Sequence, residues 1–175
     1  MKLLDAFKAE LDKCENIKRV WLTAFIIDVE FIETYVLPTV LGAEQPRTRM
    51  EYEALQLELI RQGIDFRVFC DKRYIGPDQN KRTSIPVYGI SPGKAGGIWP
   101  EGGITEESLF HAKVIYIEGK NGEKGKDTVR LLGSGSANLT LSGWGRQREV
   151  FQFTRVDERE LYYSVRSFFH GTGAL

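Results

Sequence analysis

His111 and Lys113 stand on either side of Ala112, Gly135-Ser136-Ala137-Asn138 follows them, and Glu149 comes later still. An imidazole can attack or protonate, an ammonium holds an anion, and a hydroxyl and an amide add further donors, so this set suffices to attack and hold a phosphodiester. If residues 109–117 form a strand, alternate side chains share a face and His111 and Lys113 stand side by side. The opposite face then carries Phe110, Ala112, Val114 and Tyr116, which can pack on a helix. The Gly-Ser-Ala-Asn segment closes an apolar run, residues 128–133, and its small residues fall at a strand end where backbone N–H groups can face an anion. Glu149 opens another strand-like run, residues 149–154, from which a carboxylate could accept the imidazole N–H and fix its tautomer. Taken alone, an H-x-K tripeptide is equally a half-exposed strand residue beside a solvated lysine; the ordered set is what favours a site.

The elements that must position these residues follow from periodicity. Leu3, Phe7, Leu11 and Cys14 recur at helical spacing, which predicts an opening amphipathic helix. Residues 19–27 are apolar on both faces, as a central strand covered on both sides would be. Asp28 can cap the next helix, which carries Phe31, Ile32, Tyr35 and Val36 and is expected to end near Pro38. Residues 51–62 read as another helix stopped by Gly63, residues 66–70 as a second buried strand, and a final helix is capped by Asp157 with Glu160 three positions on. This order argues for an α/β sandwich.

Two irregular stretches stand apart. Residues 71–103 are rich in Gly and Pro and interleave Lys72, Arg73, Lys81, Arg82 and Lys94 with Tyr74, Tyr88 and Trp99. Basic and aromatic residues together suit a single strand of nucleic acid, and equally a solvated surface loop. Residues 119–127 look like a hairpin tip, with Asn121-Gly122 as turn residues among solvated lysines.

Composition narrows the class. With 175 residues and 42% apolar content the chain fits one domain, residues 1–175, with a real core. Formal charge is zero, which argues against a generic nucleic-acid coating protein but leaves room for a local basic groove. Cys14 and Cys70 lie in apolar patterns and read as buried reduced thiols, which points to a cytoplasmic location. No apolar stretch is long enough to span a bilayer, and residues 1–13 are amphipathic and charged, unlike a signal peptide.

The chemistry-bearing residues resemble the phospholipase D superfamily, whose half-site motif is H-x-K-x4-D followed by G-S-x-N and a later acid. His111 and Lys113 match the first pair, Ser136 and Asn138 the second, and Glu149, eleven positions after Asn138, stands where that family places its Glu. The motif's Asp position is Glu118 here; that Asp looks structural in the family, and some branches lack it. Ser142-Gly143-Trp144-Gly145 looks more like the tyrosyl-DNA phosphodiesterase and nuclease branches than the lipid-cleaving ones, and the match covers about the last third of the chain. Trp144 reads first as a packing residue and second as a substrate contact, alongside Lys72 and Arg73.

The resemblance implies a phospholipase D-like α/β sandwich, a central mostly β-sheet with helices on both faces. It also implies two half-sites per reaction: one His attacks phosphorus to form a phosphohistidine, and the other protonates the leaving oxygen and then activates water. This chain holds one H-x-K; His170 lacks a paired Lys and reads as a helix-end residue. The second half-site is expected from another copy across a two-fold axis, or from sequence beyond Leu175 of a longer parent chain. The expected function is a metal-independent phosphodiesterase or nuclease acting on nucleic acid, DNA before RNA. In it His111 is nucleophile or acid, Lys113, Ser136 and Asn138 hold the non-bridging oxygens, and Glu149 orients an imidazole. No cofactor or membrane partner is implied, and no carboxylate cluster or Cys/His quartet has metal spacing, unlike two-metal nucleases. The alternative is a non-catalytic nucleic-acid-binding phospholipase D-like module of a larger helicase or restriction protein. Phospholipid cleavage ranks third, since no amphipathic apolar surface or basic membrane patch stands out.

Overall fold

Alternating side chains of strand β1, Asn16–Ala24, feed two cores at once. Val20, Leu22 and Ala24 enter one and Trp21 enters the other, which is why the strand reads as apolar on both faces. The computed structural model describes residues 2–75, 83–91, 109–122 and 127–171. Among them β1 pairs in parallel with β2, Asp65–Asp71, and antiparallel with β4, Val114–Asn121. Strands β3 (Val87–Ile90), β5 (Asp127–Gly135) and β6 (Phe151–Arg155) complete a six-stranded sheet of order β3-β2-β1-β4-β5-β6.

Helices cover both faces, as expected. On one face lie α1 (Lys2–Leu11), α2 (Val29–Phe31), a π-helical turn (Ile32–Val36), α3 (Leu37–Leu41) and α4 (Arg49–Gln62), which bury Phe7, Phe31, Val36, Leu37 and Leu59 against the sheet. On the other lies α5, Arg159–Gly171, whose Phe169 contacts Trp21, Phe69 and Tyr116. Local signals hold at several ends: Asp28 accepts from Phe31 N–H, Thr48 and Glu51 form a reciprocal cap on α4, and Gly63 closes that helix at φ 64°.

Several expectations shift. The helical run does not end at Pro38; a π-helical turn, Ile32–Val36, precedes the proline, and the run continues to a left-handed Gly42. Helix α5 starts at Arg159, later than a cap at Asp157 implies, and the Asp157 carboxylate pairs with Arg155. The stretch 71–103 is not one loop, because a single 3-10 turn, Lys72–Tyr74, and edge strand β3 fall within it; Lys81, Arg82, Lys94 and Trp99 lie outside the described residues. Asn121, expected in the hairpin turn, instead ends β4 opposite Asp127; Gly122 follows it at φ 74°, and His170 lies in the last turn of α5. Cys14 and Cys70 are buried free thiols. No helix among the described residues is long and apolar enough to cross a membrane.

Candidate active site

The H-x-K segment is not part of a strand. β4 begins only at Val114, and its ladder to β1 closes at Leu22 and Ile115, so the chain around Lys113 lacks main-chain partners on β1. A side chain substitutes for the ladder: the Thr23 hydroxyl donates to the Ala112 carbonyl (3.0 Å) and accepts from the Val114 N–H (2.8 Å). On the other side the Lys113 carbonyl accepts from Gly135 N–H at 3.2 Å. Upstream, the Phe110 N–H donates to Asp71 (2.9 Å), whose carboxylate also takes both Arg73 Nε and Nη2 and is fully buried. The Arg73 guanidinium holds that carboxyl well below the usual carboxylate range against the opposing effect of burial, with the Phe110 N–H adding to the depression. Phe110, Ala112, Val114 and Tyr116 pack toward α5 as expected, Phe110 stacking on Phe168 at 6.4 Å.

So held, His111 is exposed and leans on the Phe25 ring, 4.8 Å between centroids, while Lys113 is only 7% exposed. Lys113 Nζ lies 3.1 Å and 3.2 Å from the two ring nitrogens of His111 and 3.1 Å from the His111 carbonyl oxygen. The two side chains do stand together, as their spacing predicts. Burial pushes the Lys113 ammonium below the ordinary lysine range, and the charge of Glu149 offsets part of that effect.

The second motif meets the first across the end of the sheet. After β1, Asp28 N–H donates to the Leu139 carbonyl (2.8 Å), and Ile26 N–H donates to Asn138 Oδ1 (3.1 Å). That bond fixes the amide orientation and leaves the Asn138 NH₂ as a donor with no protein partner among the described residues. Ser136 donates its hydroxyl proton to Glu149 in a short hydrogen bond and accepts from Val150 N–H at 3.1 Å. The backbone of this motif differs from expectation: Gly135 N–H is taken by Lys113 and Ser136 N–H by the Val150 carbonyl (2.9 Å), so neither faces an anion. Glycine is required at 135 because a Cβ there would collide with the Val150 carbonyl, and at 143 because one would collide with the Asn138 carbonyl.

Trp144 is a packing residue in this fold. It is 2% exposed and makes T-shaped contacts with Phe7 (5.3 Å) and Phe31 (5.6 Å). Arg73 is engaged by Asp71, while Lys72 is exposed on the adjoining turn. Glu118, at the motif's Asp position, accepts from Arg19, Arg130 and Tyr116 toward the far end of β4, a structural role. Among the described residues no group of three His, Cys, Asp or Glu is arranged to hold a metal ion.

No family model and no curated protein matches the chain. Solved structures do. NucT from Helicobacter pylori superposes with a TM-score of 0.56 at 12% identity, over 99% of this chain and 89% of the other. Nuc from Salmonella typhimurium, a phospholipase D family member, gives 0.52 at 14% identity, over 97% and 85%. The fold is that of the phospholipase D family. Within this phospholipase D fold, motif reading found the five polar residues but missed Thr23, Phe25 and Asp71, which hold the H-x-K segment. Only Asp71 had a local signal, an acid closing an apolar strand just before two cations.

Proposed function

We propose that this chain is a phosphodiesterase acting on nucleic acid, with DNA as the expected substrate and a phosphohistidine as the intermediate. The observation that carries the reading is Lys113: an ammonium taken almost wholly out of water, hydrogen-bonded to His111 and to no carboxylate among the described residues. A buried cation without a contacting counter-ion is costly, and a phosphate oxyanion seated beside it relieves that cost. The Asn138 amide supplies a second donor on the same side of the sheet end. In this reading His111 is nucleophile in one half-reaction or acid in the other, Lys113 and Asn138 hold non-bridging oxygens, and Glu149 orients an imidazole. Ser136, bonded to Glu149, serves the phosphate chiefly by fixing that carboxylate.

Two half-sites are needed, since nucleophile and acid act on opposite sides of phosphorus. Exposed apolar residues beside the motif support a partner copy: Leu109 and Val150 are 54% and 77% exposed, two residues from His111 and one from Glu149. Such residues on the motif face suit an isologous interface that brings two His111 side chains together, or the second half of a longer chain.

Cleavage of single-stranded DNA and of bis(p-nitrophenyl) phosphate is expected to persist in excess chelator and to fall by orders of magnitude in His111→Asn. Loss of activity with chelator and its return with magnesium, or near-normal turnover by the His111→Asn protein, would overturn the mechanism. Mixing that variant with wild type is expected to lower activity faster than the wild-type fraction; a linear fall would exclude a shared site.

A further inference from the structure

We infer that the groove between α1 and residues 145–149 carries the polynucleotide strand flanking the scissile phosphate, with Arg146 and Arg148 as its phosphate ligands. This rests on the phosphodiesterase reading and extends it to residues that no motif names. The groove holds about 670 Å³ and is bounded by Lys2 and Leu3 on one side and by Arg146, Arg148, Glu149 and Phe151 on the other. Glu149 belongs to both places: it lines the groove and its carboxylate accepts from Ser136, so the groove borders the half-site at this residue.

Charge selects the occupant. Arg146 and Arg148 are exposed and have no carboxylate or hydrogen-bond partner among the described residues, and Lys2 adds a third cation across the groove. Several other arginines of the fold are neutralised: Arg19, Arg61, Arg73, Arg130 and Arg155 each pair with an acid. In a chain whose charges sum to zero, two unpaired arginines beside the half-site form a local basic strip. The lone acid there, Glu149, is already bonded by Ser136. The smaller cavity of about 180 Å³ under α5 makes a poor competitor, because none of the motif residues lines it and its Arg19 is bound by Asp65 and Glu118.

The strip is also held in place. Arg146 ends a π-helical turn, Ser142–Arg146, which is anchored by Trp144 in the core. Gln147 is extended at φ −83°, ψ 156°, and the arginines on either side of it both line the groove. Leu3 and Phe151 give bases an apolar wall while the guanidiniums take phosphates, the combination that suits a single strand.

The test compares two substrates on the full chain. In the double variant Arg146→Gln, Arg148→Gln, kcat/KM for a short single-stranded DNA oligonucleotide is expected to fall, relative to that for bis(p-nitrophenyl) phosphate, on the order of ten- to a hundredfold. The dependence of log KM on log salt should flatten by about 0.7 for each phosphate that is no longer neutralised. RNA of the same sequence should be weakened as much, since a guanidinium on a phosphate does not read the sugar. Arg155→Gln, exposed on β6, should leave the ratio unchanged. An unaltered ratio and salt slope in the double variant, or a weakening confined to one of the two nucleic acids, would overturn the proposal. If wild type cleaves neither substrate, the phosphodiesterase reading fails by itself. The track is then tested by fluorescence anisotropy of the same oligonucleotide, and equal affinity of wild type and double variant would overturn it.

Discussion

Thr23→Val removes one oxygen and keeps the side-chain shape, and the consequence can be worked from the hydrogen bonds it breaks. Thr23 is 3% exposed, and its hydroxyl satisfies both the Ala112 carbonyl and the Val114 N–H. Valine leaves both backbone groups unpaired in a dry place, at about 1–3 kcal/mol each. The total, about 2–6 kcal/mol, corresponds to a fall in melting temperature of roughly 4–24 °C for a chain of this size. The groups can escape part of that penalty only if residues 112–114 move toward β1 or open to water, and either motion carries His111 and Lys113 with it. A displacement near 1 Å at a reacting centre costs on the order of a hundredfold in rate. The expected result is therefore a coupled loss: a lower melting temperature by calorimetry, and a kcat on bis(p-nitrophenyl) phosphate reduced far more than KM rises. Thr23→Ser, which keeps the oxygen and loses only a methyl group, should restore most of the kcat. A Thr23→Val protein with wild-type melting temperature and wild-type kcat, or a serine variant no better than valine, would refute the positioning role.

Lys113→Met should raise stability at neutral pH while abolishing vanadate binding and turnover. Its folded-state pKa is lowered, so between that value and the ordinary lysine value near 10.4 the unfolded chain binds more protons and stability rises with pH. The charge therefore destabilises the fold at pH 7. Thermal melts from neutral to about pH 10 should show the gain from methionine shrinking as Lys113 deprotonates in the wild type; a variant less stable than wild type at pH 7 would contradict this. Asp71→Ala strips the Phe110 N–H of its acceptor and should cost about 1–3 kcal/mol in urea unfolding at pH 7. Because the Asp71 pKa is lowered, its contribution is complete above the ordinary carboxylate range near 3.9 and is lost as pH falls toward its depressed value, so the wild-type advantage should be smaller at pH 3. An advantage equal at both values would show that the carboxylate charge is not the source.

Local information was enough to read several helices and strands, because each is written in neighbouring residues: Phe7 and Leu11 at helical spacing in α1, Val20 to Ala24 apolar on both sides in β1, and Gly63 closing α4. The site residues were legible for the same reason, since His111 with Lys113, and Ser136 with Asn138, are each set by short spacings. How those residues are held was not. The segment 109–113 alternates like a strand, yet it lies outside the ladder because β1 and β4 part beyond Leu22 and Ile115, which no local pattern records. Its supports come from far along the chain: Thr23 is 89 and 91 positions from the groups it binds, and Asp71 is 39 from Phe110. Trp144 shows the same limit, since a tryptophan in a glycine-rich turn suits either a core or a substrate, and it is the approach of Phe7 and Phe31 that packs it into the core. Residue type and spacing determine which groups are available for chemistry. Which hydrogen bonds those groups have already made, and so which donors and charges remain for a substrate, depends on neighbours that only the folded chain brings together.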